Sequence, residues 1–248
     1  MPIAENLDRV RERIDAAARR VGRRGDEVAL MGVTKAFPVQ RIHEAYVAGL
    51  RLFGENRVQE FAEKFARVTG LKGAEWHLIG HLQTNKAAKA AEIFTAVDSL
   101  DSLRLAEKLD QTAASLGKRL LVLTEINVGG EEAKSGIRVP QPPNSAELEE
   151  LLQAAPRLEH LEFRGLMTIP PFTEDPEGAR PYYRMLRKLR DQIAARKLPA
   201  VPMDMLSMGM SHDFEVAVEE GSTCVRVGTA IFGPRAGPQW TRGGGTET

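Results

Sequence analysis

Lys35 is the residue from which the chemistry of this chain can be read. It ends the run Val28-Ala29-Leu30-Met31-Gly32-Val33-Thr34-Lys35, in which the residues before it suit a buried strand. An ammonium at the end of an apolar run is costly unless something there uses it. A lysine partly withdrawn from water is a nucleophile for carbonyl groups and forms Schiff bases with them. The plainer reading has Lys35 reaching to water at the rim of the fold. A second constellation lies late in the chain, in Leu206-Ser207-Met208-Gly209-Met210-Ser211 and Arg226-Val227-Gly228-Thr229. Gly209 and Gly228 let backbone amides approach an anion, and Ser207 and Thr229 supply hydroxyl donors. Serine and glycine also serve ordinary tight turns. Taken together, an amine and a phosphate cradle point to pyridoxal phosphate or a sugar-phosphate aldehyde.

Other reactive side chains carry less. His77 and His81 are four apart but come off a strand end, and no third ligand stands near them, so no metal site is expected. Cys224 is the single cysteine, which excludes an intrachain disulfide and fits a reducing cytosol. It begins a strand and should face the core. Lys134 is the rival amine, but it lies in the loop 129–143, and a loop amine in water is not activated. Glu131-Glu132 and Glu219-Glu220 read as solvated charge.

The elements that must position these groups follow from periodicity. Ile3, Leu7, Val10, Ile14, Ala17 and Val21 recur at helical spacing and predict an N-terminal amphipathic helix. Eight apolar runs then alternate with helical segments, at 28–35, 52–56, 76–80, 94–97, 120–128, 163–169, 205–208 and 224–227. Apolar runs that alternate with helices predict a parallel sheet covered by helices. Eight such units predict a closed (β/α)₈ TIM barrel. An open dinucleotide-binding sheet would show a glycine-rich turn after strand 1, where this chain has Thr34-Lys35-Ala36-Phe37-Pro38. The domain spans 1–233, with the N-terminal helix covering the place of a missing last helix. The Gly- and Pro-rich residues 234–248 are expected to be a disordered tail. Residues 129–143 are too long for a plain connector and suit a lid.

A barrel of this kind carries its site at the carboxyl ends of the strands. Those ends bring Lys35, Asn56, His77 to His81, Asp98, Asn127, Met167, Ser207 and Arg226 to Thr229 to one face. The 34 Lys plus Arg residues balance the 34 Asp plus Glu, which gives no sign of a nucleic-acid or acidic-membrane partner. No run reaches the roughly 18 apolar residues of a membrane span, and the first residues have no signal-peptide core. A cytoplasmic protein is expected.

Longer stretches carry a resemblance. Gly32 to Lys35, Phe53-Gly54-Glu55-Asn56-Arg57-Val58-Gln59-Glu60, 76–86, Ser135-Gly136-Ile137, Gly165-Leu166-Met167, 206–211 and 225–233 resemble, in order, the pyridoxal phosphate homeostasis proteins. The barrel is similar to the N-terminal domain of alanine racemase and to that of eukaryotic-type ornithine decarboxylases. The resemblance implies pyridoxal 5'-phosphate as cofactor and Lys35 as its Schiff-base lysine. It implies phosphate contacts from Ser207, Gly228 and Thr229, with Asn56 and Met167 in the cofactor site and Arg226 facing the pyridine nitrogen. His212 departs from the small or acidic residue that relatives often carry.

An arginine at the ring nitrogen disfavours the protonation that full electron-sink chemistry uses. Racemases of similar fold also take a tyrosine base from a second domain, whereas Tyr46, Tyr182 and Tyr183 fall on predicted helices. The expectation is therefore a monomeric, non-catalytic carrier that buffers the cofactor or delivers it to pyridoxal-phosphate-dependent apoenzymes. A weak amino-acid racemase is the alternative. A third reading is a barrel that binds a phosphorylated metabolite without a Schiff base.

Overall fold

The structure is a computed structural model, and it describes residues 2–132, 134–139 and 145–234. The strands are β1 Ala29–Val33, β2 Leu52–Glu55, β3 Glu75–Leu78, β4 Ala96–Leu100, β5 Leu120–Asn127, β6 Ile137–Arg138, β7 Leu161–Met167, β8 Met205–Met210 and β9 Cys224–Val227. All pairings are parallel, and the sheet closes where β4 meets β5 and β1 meets β9. The barrel wall is thus eight strands. The ninth, β6, is two residues long and adds to β5 at its carboxyl end, inside the segment read from sequence as a loop.

The helices are α1 Ile3–Arg20, α2 Val39–Val47, α3 Val58–Phe65, α4 Ala87–Ile93, α5 Leu103–Ser115, α6 Ala146–Ala154, α7 Arg180–Ala195, α8 Phe214–Glu219 and α9 Thr229–Phe232. The outer faces of the strands and the apolar stripes of the helices form one core, with Phe53, Phe61, Trp76 and Phe94 in mutual ring contact. The barrel interior holds a smaller apolar cluster of Met31, Val33, Ile79 and Cys224.

The expected gap beside β9 is filled from both ends of the chain. The four-residue α9 follows β9, and α1 packs against it and against α8. Asn6 of α1, 8% exposed, donates from Nδ2 to the Ile231 carbonyl at 2.8 Å.

Several sequence expectations move by a few residues. Strand 4 begins at Ala96 and runs on to Leu100. Ser102 rather than Asp101 caps α5, accepting from the Leu105 amide. Asp213 does not cap α8 with its side chain; its carboxylate accepts from the Met210 amide at 2.7 Å instead. Glu219 and Glu220 are not solvated charge. Glu220 is 4% exposed and pairs with Arg180 and Arg184, while Glu219 pairs with Arg20 and Arg180. Burial works against the Glu220 carboxylate, but hydrogen bonds from Arg184 and Arg180 outweigh it and hold its pKa below the ordinary range. The expected tail, 235–248, and residues 140–144 of the expected lid lie outside the described residues.

Candidate functional site

Lys35 stands on a tight turn at the carboxyl end of β1. The Phe37 amide donates to the Thr34 carbonyl at 3.1 Å, and Ala36 takes φ 62°. Helix α3 holds this turn from outside. Lys64 donates to the Thr34 carbonyl and to Glu55 Oε1, both at 3.1 Å, and to Glu60 Oε1 at 2.7 Å. Thr34 Oγ1 donates to Glu55 Oε1 at 2.7 Å. Lys64 therefore has an acceptor for each of its three N–H bonds and no free lone pair. Lys134, the rival amine, is engaged by Glu131 Oε1 at 2.6 Å and the Pro170 carbonyl at 3.2 Å. Lys35 itself is half-buried.

Asn56 follows β2, and its carboxamide oxygen is buried with no hydrogen-bond partner. Its backbone is approached so closely by Gly80 that a Cβ there would lie 2.3 Å from the Asn56 carbonyl oxygen. Only glycine fits that contact, so the Gly80 in the third strand's exit is a packing requirement.

On the other side of β1 is β9, and Arg226 points from it into the barrel. Its guanidinium is 2% exposed and donates to the Ser207 carbonyl at 2.7 Å, to Ser207 Oγ at 2.8 Å and to the Thr168 carbonyl at 2.6 Å. Ser207 is fully buried and stands in register with Met167 on β7. Its hydroxyl oxygen accepts from Arg226 inside the barrel, which leaves the O–H free to donate. The sequence reading had stopped this strand at Met208, which left Ser207 near its end; β8 runs to Met210 through a register shift. The first hydroxyl beyond the strand is Ser211. Its Oγ accepts from the Gly228 amide at 3.1 Å and from the Ala230 amide at 3.4 Å. Thr229, between them, is exposed. A Cβ at Gly228 would lie 3.5 Å from the Val33 carbonyl, so Gly228 lies close to the end of β1, two residues before Lys35. Gly209 sets the approach of this loop at φ 96°, where a Cβ would meet Ala217 at 2.5 Å.

Further acidic groups occupy β4 and β5. Asp98 accepts from or pairs with His77 Nδ1 at 2.9 Å, both side chains being buried. Burial disfavours the imidazolium, but the Asp98 charge and hydrogen bond prevail and raise the His77 pKa. His81 is exposed and pairs with Asp101 at 3.1 Å. Each histidine thus has a carboxylate partner, and no group of three metal-binding side chains stands together among the described residues. Glu125, 4% exposed, accepts from Ser135 at 3.1 Å, and burial raises its pKa. Asn127 donates to the Glu131 and Lys134 carbonyls, which ties the loop after β5 down at the mouth. Cys224 is buried in the interior, and burial pushes its thiol up to about 12. His212 turns outward to the Glu174 carbonyl at 3.0 Å and the ring of Phe172.

The parallel strands thus bring Lys35, Asn56, Met167, Gly228 and Thr229 to one barrel end, with Ser207 and Arg226 in the interior beneath it. Sequence reasoning passed over Ser211, which stood in a quoted stretch but beyond the wrong strand end. It also passed over the Glu55–Lys64–Glu60 bracket. The signal for the bracket was the spacing of Glu60 and Lys64, an i, i+4 pair on α3.

The three tyrosines stand on helices, Tyr46 on α2 and Tyr182 and Tyr183 on α7. Tyr46 donates to the Lys72 carbonyl at 2.9 Å, and Tyr182 packs among the helices. The Tyr183 hydroxyl is buried beside the Asp213 carboxylate and the Gly209 backbone. Burial first, and then the nearby Asp213 carboxylate, push it far above the ordinary tyrosine range. Tyr183 is therefore near the β8–α8 turn, closer to a strand end than its helix suggested.

Residues 6–236 match the family described as alanine racemase, N-terminal domain. The pyridoxal phosphate homeostasis protein of Aquifex aeolicus is 46% identical over 235 residues, 95% of this chain and 99% of that one. The structure of PipY from Synechococcus elongatus with pyridoxal phosphate bound is similar at a TM-score of 0.79 and 36% identity, covering 93% of this chain and 100% of that one. An alanine racemase from Clostridium difficile, 18% identical, shares the barrel at a TM-score of 0.67, with 93% of this chain and 56% of that one covered. No helix among the described residues is long and apolar enough to cross a membrane. By sequence along nearly its whole length and by fold, the chain belongs to the pyridoxal phosphate homeostasis protein family, within the alanine racemase N-terminal domain group.

Proposed function

We propose that the protein binds pyridoxal 5'-phosphate reversibly, with Lys35 as the Schiff-base lysine, and holds it for intracellular buffering or delivery to apoenzymes. The observation that carries this reading is the closeness of Gly228, whose amide is held by Ser211, to the Val33 carbonyl at the end of β1, two residues before Lys35. In this reading an anion site lies beside the Lys35 amine at the barrel mouth. Ser211 Oγ takes both amides, as a phosphate oxygen would, and Thr229 supplies an exposed hydroxyl. Ser207 then serves by holding Arg226, whose fixed charge lies in the barrel beneath the mouth. The orphaned oxygen of Asn56 suits a polar group of the bound molecule.

When bound, the cofactor supplies an aldehyde carbon to the amine. The residues named would bind and orient it, while the three tyrosines stand on helices α2 and α7 rather than at strand ends. That placement favours a carrier over a racemase. Two measurements separate them. The visible absorbance of bound cofactor should be lost in Lys35→Ala. Holo-protein incubated with L-alanine in deuterated water should exchange the α-proton no faster than free cofactor does. Exchange well above that level, lost with Lys35, would establish the racemase reading instead.

A further inference from the structure

The bracket behind Lys35 grips the backbone on both sides of that residue. We propose that Glu60 is a positioning residue, which fixes the direction of the Lys35 amine by clamping the turn that carries it. The inference rests on the reading of Lys35 as the cofactor lysine.

The clamp has two jaws. Before Lys35, the Thr34 carbonyl accepts from Lys64 at 3.1 Å. After it, the Ala36 amide donates to Glu60 Oε1 at 2.6 Å. The same Glu60 oxygen accepts from Lys64 at 2.7 Å, so both jaws belong to one ion pair on α3. The pair is anchored in turn. Glu55, fully buried on the outer face of β2, binds both Lys64 and the Thr34 hydroxyl.

The clamp opposes a conformational preference. Ala36 sits at φ 62°, a region sparsely populated by residues with a Cβ. Such a conformation persists only where its surroundings over-determine it. A charge-assisted bond from Glu60 to that residue's own amide does so directly. Released, Ala36 would return to a commoner region, and Lys35 beside it would swing its amine off the mouth. Glu60 carries the charge this needs: burial acts against its carboxylate, but Lys64 and the Ala36 amide hold its pKa below the ordinary range.

The test compares Glu60→Ala and Glu60→Gln with the native protein. Glutamine keeps an acceptor for the Ala36 amide; alanine does not. Hydrogen exchange at the Ala36 amide, read by NMR on cofactor-free protein, should quicken about tenfold or more in Glu60→Ala, the loss of roughly one hydrogen bond. It should stay within about threefold of native in Glu60→Gln. Borohydride labelling of Lys35 by pyridoxal phosphate should slow in Glu60→Ala and be largely rescued in Glu60→Gln. Thermal unfolding of both variants establishes that they are folded. Unchanged Ala36 exchange in Glu60→Ala, or faster exchange with unchanged labelling, overturns the proposal. Failure of native protein to label at Lys35 instead overturns the cofactor reading, and the exchange result then reports on the clamp alone.

Discussion

Lys35 and Lys64 belong to the same corner of the barrel, yet their chemistry differs. Lys64 is bound by three oxygens and serves as a cation in a bracket. Lys35 stands on the turn that the bracket supports. Single-residue predictions follow from such assignments. Ser211→Ala removes the hydroxyl that organises the Gly228 and Ala230 amides. It should weaken pyridoxal phosphate binding by about tenfold, measured by equilibrium titration, without changing which lysine is labelled. Deep in the barrel, Asp98 raises the His77 pKa. A group with a raised folded-state pKa stabilises the fold fully below its unfolded pKa, and loses that contribution as pH rises through the folded value. Ring-proton NMR should therefore find His77 protonated above the ordinary histidine range, and Asp98→Asn should bring it down. A His77 titration unmoved by Asp98→Asn would refute the pairing.

At the scale of elements, α1 and the α7–α8 corner keep the last strand in place. Glu220 receives Arg180 and Arg184 from α7, and Glu219 links α1 to α7 through Arg20 and Arg180. Glu220→Gln should cost about 2 kcal/mol in urea unfolding at neutral pH. Both carboxylates have pKa values held below the ordinary range, Glu219 by Arg180 and Arg20 against the effect of burial. Their contribution is present above the ordinary carboxylate pKa and is lost as pH falls through the lowered values. The difference between native protein and Glu220→Gln should accordingly shrink in acid. These ion pairs were not legible in the sequence, because Glu220 and Arg180 are 40 residues apart. Strand order was legible, since each strand is an apolar run in its own right. The end of β8 was not: Gly209 looks like a strand stop, but its φ of 96° is accommodated inside a bulged pairing. That two-residue extension is what separates Ser207 in the interior from Ser211 at the mouth.

For the whole molecule, barrel closure matters most. The Gly228 loop and Lys35 are nearly two hundred residues apart in sequence, and the pairing of β9 with β1 brings their strand ends together. The eight-fold pattern implied that pairing once a barrel was inferred. The intimacy of the contact, Gly228 against Val33, was not readable from it. We expect the protein to be monomeric, with sedimentation giving the mass of a single 27.3 kDa chain with and without cofactor. A dimer mass would contradict that expectation. The central claim is the covalent role of Lys35, and one measurement tests it most directly. Protein incubated with pyridoxal phosphate, reduced with borohydride and digested should carry one pyridoxyl-phosphate group, on the peptide that contains Lys35. A label on Lys64 or Lys134, or none on any lysine, would contradict the account.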